Sequence, residues 1–191
     1  MGILRKFDFR DVDKLRRPER LQRENPEVIW EQMALDDPSV FVDIGAGIGF
    51  AAVPFARKMP KGKIYACDLE QEMLNILRAE AESSGVGNIH LVKMEEVNIP
   101  LPDAIADGVL MQNLHHELHH PVASLAECRR IMKDGAKIAI IDWKKEPMEA
   151  GPPQELRLSA SDIEAHLKEA GFAWVTHNEV LPLHHFIIAV K

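Results

Sequence analysis

Short apolar runs rich in β-branched residues recur along the chain at residues 40–44, 63–67, 89–92, 108–111 and 137–141. Between them lie segments whose apolar positions return every three or four residues, at 51–58, 71–84 and 121–132, as amphipathic helices require. Strands alternating with helices at this spacing predict a parallel sheet with helices on both faces. Gly85 and Gly135 stand where the second and third helices would end, in a backbone conformation that strains glycine least. A Pro/Gly-rich loop at 146–153 leads to a further helix that opens at Ser159 and closes at Gly171. Two strands, 173–177 and 184–190, finish the chain, joined by a short link. A parallel crossover needs a dozen or more residues, so this last pair must be antiparallel. The expected architecture is α/β: a three-layer αβα sandwich on a seven-stranded, mostly parallel sheet with one reversed strand near the C-terminus.

The chain has 191 residues, and no repeat, low-complexity tract or flexible linker divides it. Residues 39–191 are consumed by the sheet and its helices, which leaves 1–38 as an N-terminal helical arm over the pocket, with Trp30 and Met33 as apolar candidates for its lid. The net charge of −7 argues against general nucleic-acid affinity. Its distribution is uneven: residues 1–24 carry eight Lys/Arg and five Asp/Glu, so the arm is +3 and the rest −10. The Arg16-Arg17-Pro18-Glu19-Arg20 cluster suits an anionic substrate, although a solvated helix face with mixed charges is the simpler reading. Cys67 and Cys128 are too few for a disulfide framework or a four-cysteine zinc site. Arg5 and Lys6 stand where a secretory signal needs apolar residues, and Lys6 where a myristoylation signal needs Ser or Thr. The most apolar stretch, 44–56, is too short and too broken by glycines and Pro54 to span a bilayer. These features lead us to expect a cytoplasmic protein without a membrane span, with homo-oligomerisation left open.

In open α/β sheets ligands sit beyond the carboxyl ends of the strands. The first strand runs straight into Asp43-Ile44-Gly45-Ala46-Gly47-Ile48-Gly49, a turn whose backbone can approach a ligand closely. A dinucleotide fingerprint places its third glycine at position 50, where this chain has Phe50. Asp43, two residues before the first glycine, would repel a pyrophosphate and suits a ligand carrying a cationic group. NAD chemistry is therefore disfavoured. Asp68, at the end of the second strand, is placed to accept both hydroxyls of a ribose or to cap the helix that follows. Glu95, after the third strand, is a candidate acceptor for an adenine amine.

Taken together, these segments resemble the class I S-adenosylmethionine-dependent methyltransferases. Residues 41–49 look like that family's first motif and 66–69 like its second. Residues 92–103 are similar to the segment that usually reads G-D-A-x-x-L-P-F; Ala106-Asp107-Gly108-Val109 with Leu114-His115-His116, and then 130–136, match its later motifs. The Leu-His-His in particular is similar to the subgroup of methyltransferase type 11 and quinone-biosynthesis C-methyltransferases. The resemblance implies a Rossmann-like fold and S-adenosylmethionine as cofactor, with S-adenosylhomocysteine as product. It implies that Gly45, Ala46 and Gly47 pack against the methionine part, that Asp43 orients the loop or receives the amine, and that Asp68 holds the ribose. Leu69 would lie against adenine, Glu95 and Glu96 would border the base, and Met111 and Gln112 would line the methionine end. Met94-Glu95 departs from the usual Gly-Asp, which loosens the adenine assignment.

His115 and His116 follow the fourth strand, where a base with a pKa near neutrality could take a proton from a hydroxyl or an acidic carbon; packing at the helix mouth accounts for them equally well. His116-Glu117-Leu118-His119-His120 also matches the zinc-hydrolase pattern H-E-x-x-H, which works only on one continuous helix. Pro121 disfavours helical backbone at His120 and more naturally opens a new helix, so no metal is expected. His184 and His185 read as a pocket wall or as plain loop, with plain loop favoured. Gln112-Asn113-Leu114-His115 stands where enzymes methylating exocyclic or amide nitrogen commonly carry Asn/Asp-Pro-Pro-aromatic. The function expected is methyl transfer to a small-molecule acceptor. The alternatives are a protein that binds the cofactor without transferring, and, less favoured, an NAD oxidoreductase.

Overall fold

The computed structural model describes residues 9–191; the first eight, with Arg5 and Lys6, lie outside the described residues. The strands are β1 (Val40–Ile44), β2 (Lys63–Asp68), β3 (Ile89–Lys93), β4 (Ala106–Gln112), β5 (Met132–Trp143), β6 (Ala173–Asn178) and β7 (His184–Val190). They form one sheet in the order β3-β2-β1-β4-β5-β7-β6. β1 to β5 run parallel to one another, and β7 is antiparallel to both β5 and β6, the latter as the short link between them demands. The chain winds outward from β1 to β3 and then returns to place β4 on the other side of β1. That reversal opens a crevice at the carboxyl ends of β1 and β4, where α/β sheets bind ligands.

The helices are α1 (Glu19–Arg23), α2 (Pro26–Met33), α3 (Ala52–Lys58), α4 (Gln71–Ser83), α5 (Pro121–Ile131) and α6 (Ala160–Glu169). Strand alternation sends Val42, Val109, Met111, Ile138 and Ile140 to one face, where Leu125 and Cys128 of α5 and Ile163 and Leu167 of α6 cover them. Phe41, Leu110, Ala139 and Ile141 point the other way, against Ile29 and Met33 of α2, Phe55 of α3 and Leu77 of α4. Each such side chain, fully buried, contributes about 1.5–3 kcal/mol. Two helix ends follow the glycine pattern: Gly85 (φ +68) and Gly171 (φ +88) close α4 and α6, with Val86 N–H donating to the Ala81 carbonyl and Phe172 N–H to the Leu167 carbonyl. At the other end of α6, Ser159 and Asp162 cap each other reciprocally.

Two expectations need correction. Gly135 does not end a helix. α5 stops at Ile131, and Met132 is already extended (φ −79, ψ 146), fully buried and paired with Ala106, so β5 begins five residues before position 137. Burial of Met132 and ladder pairing outweigh continued helix there. Nor do Trp30 and Met33 form a lid. Met33 is fully buried, and the Trp30 ring lies 4.9 Å from that of Phe55, so both belong to the core beneath α3. The part of the arm that reaches the crevice is Leu15, in the 3-10 helix Phe9–Arg16, together with α1. Among the described residues no helix is long and apolar enough to cross a membrane.

Candidate active site

β1 ends at Ile44, and the chain turns through Gly45 (φ +70) and Gly47 (φ +53). The Gly45 and Ala46 N–H groups donate to the Cys67 carbonyl at 2.9 and 3.0 Å, which ties the turn to the end of β2. A Cβ on Gly45 would stand 2.7 Å from Leu114 Cδ2, so the turn is also packed against the segment after β4. Asp68 fixes it from the side: Oδ2 accepts from Gly47 N–H at 2.8 Å and Oδ1 from Glu70 N–H at 2.8 Å. Burial raises the Asp68 pKa against those two hydrogen bonds. Asp68 is the turn acceptor rather than the formal N-cap of α4, a place held by Glu70.

A cavity of about 950 Å³ opens over this turn, near the upper end of the roughly 300–1,000 Å³ common for ligand pockets. Gly45, Ala46, Gly47, Asp68 and Leu69 all line it, joined by the apolar side chains of Met73, Met94 and Leu118. Asp43 lies beneath the turn, 3% exposed, and is not on the wall. Its pKa is pushed up to about 7, first by burial and then by the charge of Asp68, against the opposing influence of Arg20 and the Ala52 N–H. Asp43 is therefore not placed to receive a cofactor amine, and its backbone donor is the Ala52 N–H at the start of α3.

Two expected cofactor residues, Glu95 and Met111, stand away from the cavity wall. Glu95 is exposed and off the wall, because its backbone pairs with Asn98 in a tight turn that directs the side chain outward. Met111 is fully buried in the core under α5; the two-residue alternation of β4 sends it away from the face that Gln112 presents. Glu96 does line the cavity, but its carboxylate accepts from His120 N–H at 2.6 Å and meets His119 Nδ1 at 3.1 Å, so it anchors the start of α5. Gln112 lines the cavity as expected.

The adjacent histidines diverge. The 3-10 turn His115–Glu117 sends His115 away from the cavity, where its Nε2 sits 3.1 Å from His166 Nδ1; burial lowers its pKa to about 4. His115 is not on the wall, so a proton-transfer role in the cavity is withdrawn for it. His116 lines the cavity. Its Nδ1 lies 2.7 Å from Asp142 Oδ1, and its N–H donates to Asp142 Oδ2 at 2.9 Å. The Trp143 N–H donates to Asp142 Oδ1 at 2.8 Å. A carboxylate only accepts, so Nδ1 carries the proton and Nε2 is the basic nitrogen. Burial alone would lower the His116 pKa, but the hydrogen bond and charge of Asp142, with the charge of Glu117, outweigh it and leave the pKa raised. Asp142 is held below the ordinary carboxylate range, because His116 and the backbone donors outweigh its burial. This is a buried acid–imidazole pair in which the carboxylate makes the histidine hold its proton more tightly than a free imidazole does.

Sequence reasoning missed Asp142, whose one signal is a lone acid at the end of the apolar run 137–141. It also missed Glu24, which closes α1 and accepts from Gln112 Nε2 and Asn113 Nδ2, both at 2.7 Å, with Arg20 Nε at 3.4 Å. Buried Arg157 was missed too. Its guanidinium donates to the Pro152, Glu146 and Ala150 carbonyls at 2.8–2.9 Å and holds the 146–153 loop against the cavity. The helix that H-E-x-x-H needs is not formed: the 3-10 turn ends at Glu117, and His120 precedes α5, with Pro121 at its first position. His184 is not loop but the first residue of β7, buried with its ring 4.2 Å from that of Trp143.

A family model described as a methyltransferase domain matches residues 41–135. A solved S-adenosylmethionine-dependent methyltransferase from Aquifex aeolicus is 35% identical, covers 96% of this chain and 98% of its own, and superposes with a TM-score of 0.91. Among curated proteins, the ubiquinone/menaquinone biosynthesis C-methyltransferase UbiE of Ralstonia pickettii is 27% identical over 72% of this chain and 67% of its own length. That of Cupriavidus taiwanensis is 31% identical over 61% and 50%. The chain thus spans between half and two thirds of the length of these curated relatives.

Proposed function

The chain belongs to the class I S-adenosylmethionine-dependent methyltransferases, and on that premise we propose that it transfers the methyl group to a small molecule whose hydroxyl or acidic carbon gives up its proton to His116. The observation that carries this reading is the His116–Asp142 pair, in which a histidine that lines the cavity has its Nδ1 bonded to a buried carboxylate, which leaves Nε2 as the basic nitrogen.

The residues fit the cofactor. The glycine turn offers backbone without side chains, Asp68 offers carboxylate lone pairs toward ribose hydroxyls, and Leu69, Met73, Met94 and Leu118 offer an apolar slot for a base. Asn113 Oδ1 is buried on the cavity wall without a hydrogen-bond partner among the described residues, an acceptor suited to an ammonium group. When bound, S-adenosylmethionine supplies a methyl group already activated by a positive sulfur.

The protein's part is alignment and proton removal. Donor and acceptor held in one cavity meet as a positioned pair rather than by bimolecular encounter. His116 Nε2 receives the acceptor's proton as the new bond to carbon or oxygen forms, and Asp142 stabilises the imidazolium through Nδ1. Asp142 also fixes the tautomer, as the acid partner of a catalytic histidine does elsewhere. The bacterial relatives are named for C-methylation in quinone biosynthesis, which supports an acidic carbon as the acceptor atom; a hydroxyl makes the same demand on His116.

Calorimetric titration with S-adenosylmethionine and S-adenosylhomocysteine tests the premise. A metabolite pool supplied with labelled methyl donor tests the reaction. We expect labelled product from the wild-type protein and none above background from His116→Ala. Equal labelling by both proteins would overturn the base assignment, and binding without any labelling would leave a cofactor-binding protein.

A further inference from the structure

We infer that the acceptor carries an oxyanion, a carboxylate or a phosphate, and that Arg23 at the end of α1 receives it; this rests on the methyl-transfer reading of the same cavity. Three arginines of the arm line the cavity: Arg17, Arg20 and Arg23. They differ in what occupies them. Arg20 is engaged, paired with Glu24 at 3.4 Å and seated 3.8 Å over the Phe50 ring. Arg17 is exposed at the mouth. Arg23 is half-buried, and its Nε is a fully enclosed donor with no hydrogen-bond partner among the described residues. Buried donors are almost always satisfied, and Arg23 keeps one open on a guanidinium that lines the cavity.

The surroundings specify that partner. The Arg23 guanidinium lies 5.6 Å over the Trp143 ring, a cation–π contact that positions it without using its hydrogen-bond donors. The nearby carboxylates do not satisfy it. Glu24 is committed to Gln112, Asn113 and Arg20, while Glu19 and Glu149 are exposed at the rim. A guanidinium presents a planar fork of donors that matches carboxylate and phosphate oxygens. Leu15, Pro152 and Leu156 add apolar surface to the same cavity. His116 lines that cavity as well, so an anion with an apolar body, anchored at Arg23, can present its hydroxyl or acidic carbon within the same enclosure.

Three commercial compounds test this: 4-hydroxybenzoate, 4-hydroxyphenyl phosphate and the neutral methyl 4-hydroxybenzoate, each titrated into the full chain saturated with S-adenosylhomocysteine. At least one anion is expected to bind about tenfold or more tightly than the neutral ester, and the better of the two names the group. Arg23→Met keeps the apolar stem against Trp143 and is expected to erase that difference while leaving S-adenosylhomocysteine affinity unchanged; Arg23→Lys, which keeps the charge, retains part of it and serves if the methionine variant does not fold. Equal binding of acid and ester, no binding of either anion, or a preference that survives in Arg23→Met would overturn the inference. So would a loss of S-adenosylhomocysteine affinity in Arg23→Met, which assigns the arginine to the cofactor's own carboxylate. Failure of S-adenosylhomocysteine to bind the wild-type protein is a separate result and defeats the methyl-transfer reading itself.

Discussion

At the β1–β2 end of the cavity the groups that face a ligand are neighbours in sequence and are held by backbone. Gly47 and Asp68 stand 21 residues apart, and their hydrogen bond joins adjacent parallel strands through one strand–helix turn. At the β4–β5 end the wall is assembled from distant segments by buried side chains. Glu24 reaches Gln112 across 88 positions, and Arg157 holds a loop by its carbonyls. His116 meets Asp142 across a helix and the whole of β5. The first end can be built by any chain with the right turn. The second depends on what this chain places in its arm and its 146–153 loop. The contrast implies that cofactor affinity and acceptor chemistry are separable, and mutations can test that.

The largest expected effect is on chemistry alone. His116→Ala is expected to lower turnover by about 10²–10⁴-fold. Its S-adenosylhomocysteine affinity, read by calorimetry, should stay within about twofold of wild type, since the glycine turn is held by Cys67, Asp68 and Leu114. A parallel collapse of both quantities would break the division between the two ends. The converse variant, Asp68→Ala, removes the acceptor for the Gly47 and Glu70 N–H groups and is expected to weaken S-adenosylhomocysteine binding by about tenfold or more. Unchanged affinity there would remove the cofactor from this end of the cavity.

The same division explains what could be read in advance. Gly45, Gly47, Asp68, the reversed β7 and the ends of α4 and α6 follow from local rules: turn conformations, strand ends and connection length. Glu95 and Met111 were misplaced by details one residue in scale, the Glu95–Asn98 turn and the alternation of β4. His115 and His116 could not be told apart because a 3-10 turn, not a helix, separates their directions. Asp142, Glu24 and Arg157 carry no local signal for their partners. Each is a buried polar side chain whose role exists only once distant segments meet.

Smaller effects sharpen the packing side of the contrast. Gly45 and Gly85 both have positive φ, but a Cβ on Gly85 meets open space while one on Gly45 meets Leu114 at 2.7 Å. Gly85→Ala should cost about 1 kcal/mol in denaturant unfolding, from backbone strain alone. Gly45→Ala should cost about 1–3 kcal/mol more, because Leu114 must move. Equal losses would mean that the turn is not packed against the β4 end.

A last effect is a pH dependence of stability. Burial raises the Asp43 pKa from 3.8 to about 7, so the folded protein holds that proton more tightly than the unfolded chain does. Stability contributed by the protonated group is full below the unfolded value and is lost as pH rises toward the folded one. Asp43→Asn cannot titrate, so wild type should lose stability relative to it between pH 4 and 7, in urea midpoints taken across that range. A constant difference would remove the buried proton from the account.

The central claim is that Asp142 raises the basicity of His116, and histidine-selective NMR titration reads this without knowledge of the acceptor. With the His116 resonance assigned by its absence in His116→Gln, the account predicts titration above the ordinary imidazole value of about 6.5, moving downward in Asp142→Asn. Titration of His116 below that value in wild type, or a titration that Asp142→Asn leaves in place, would contradict it.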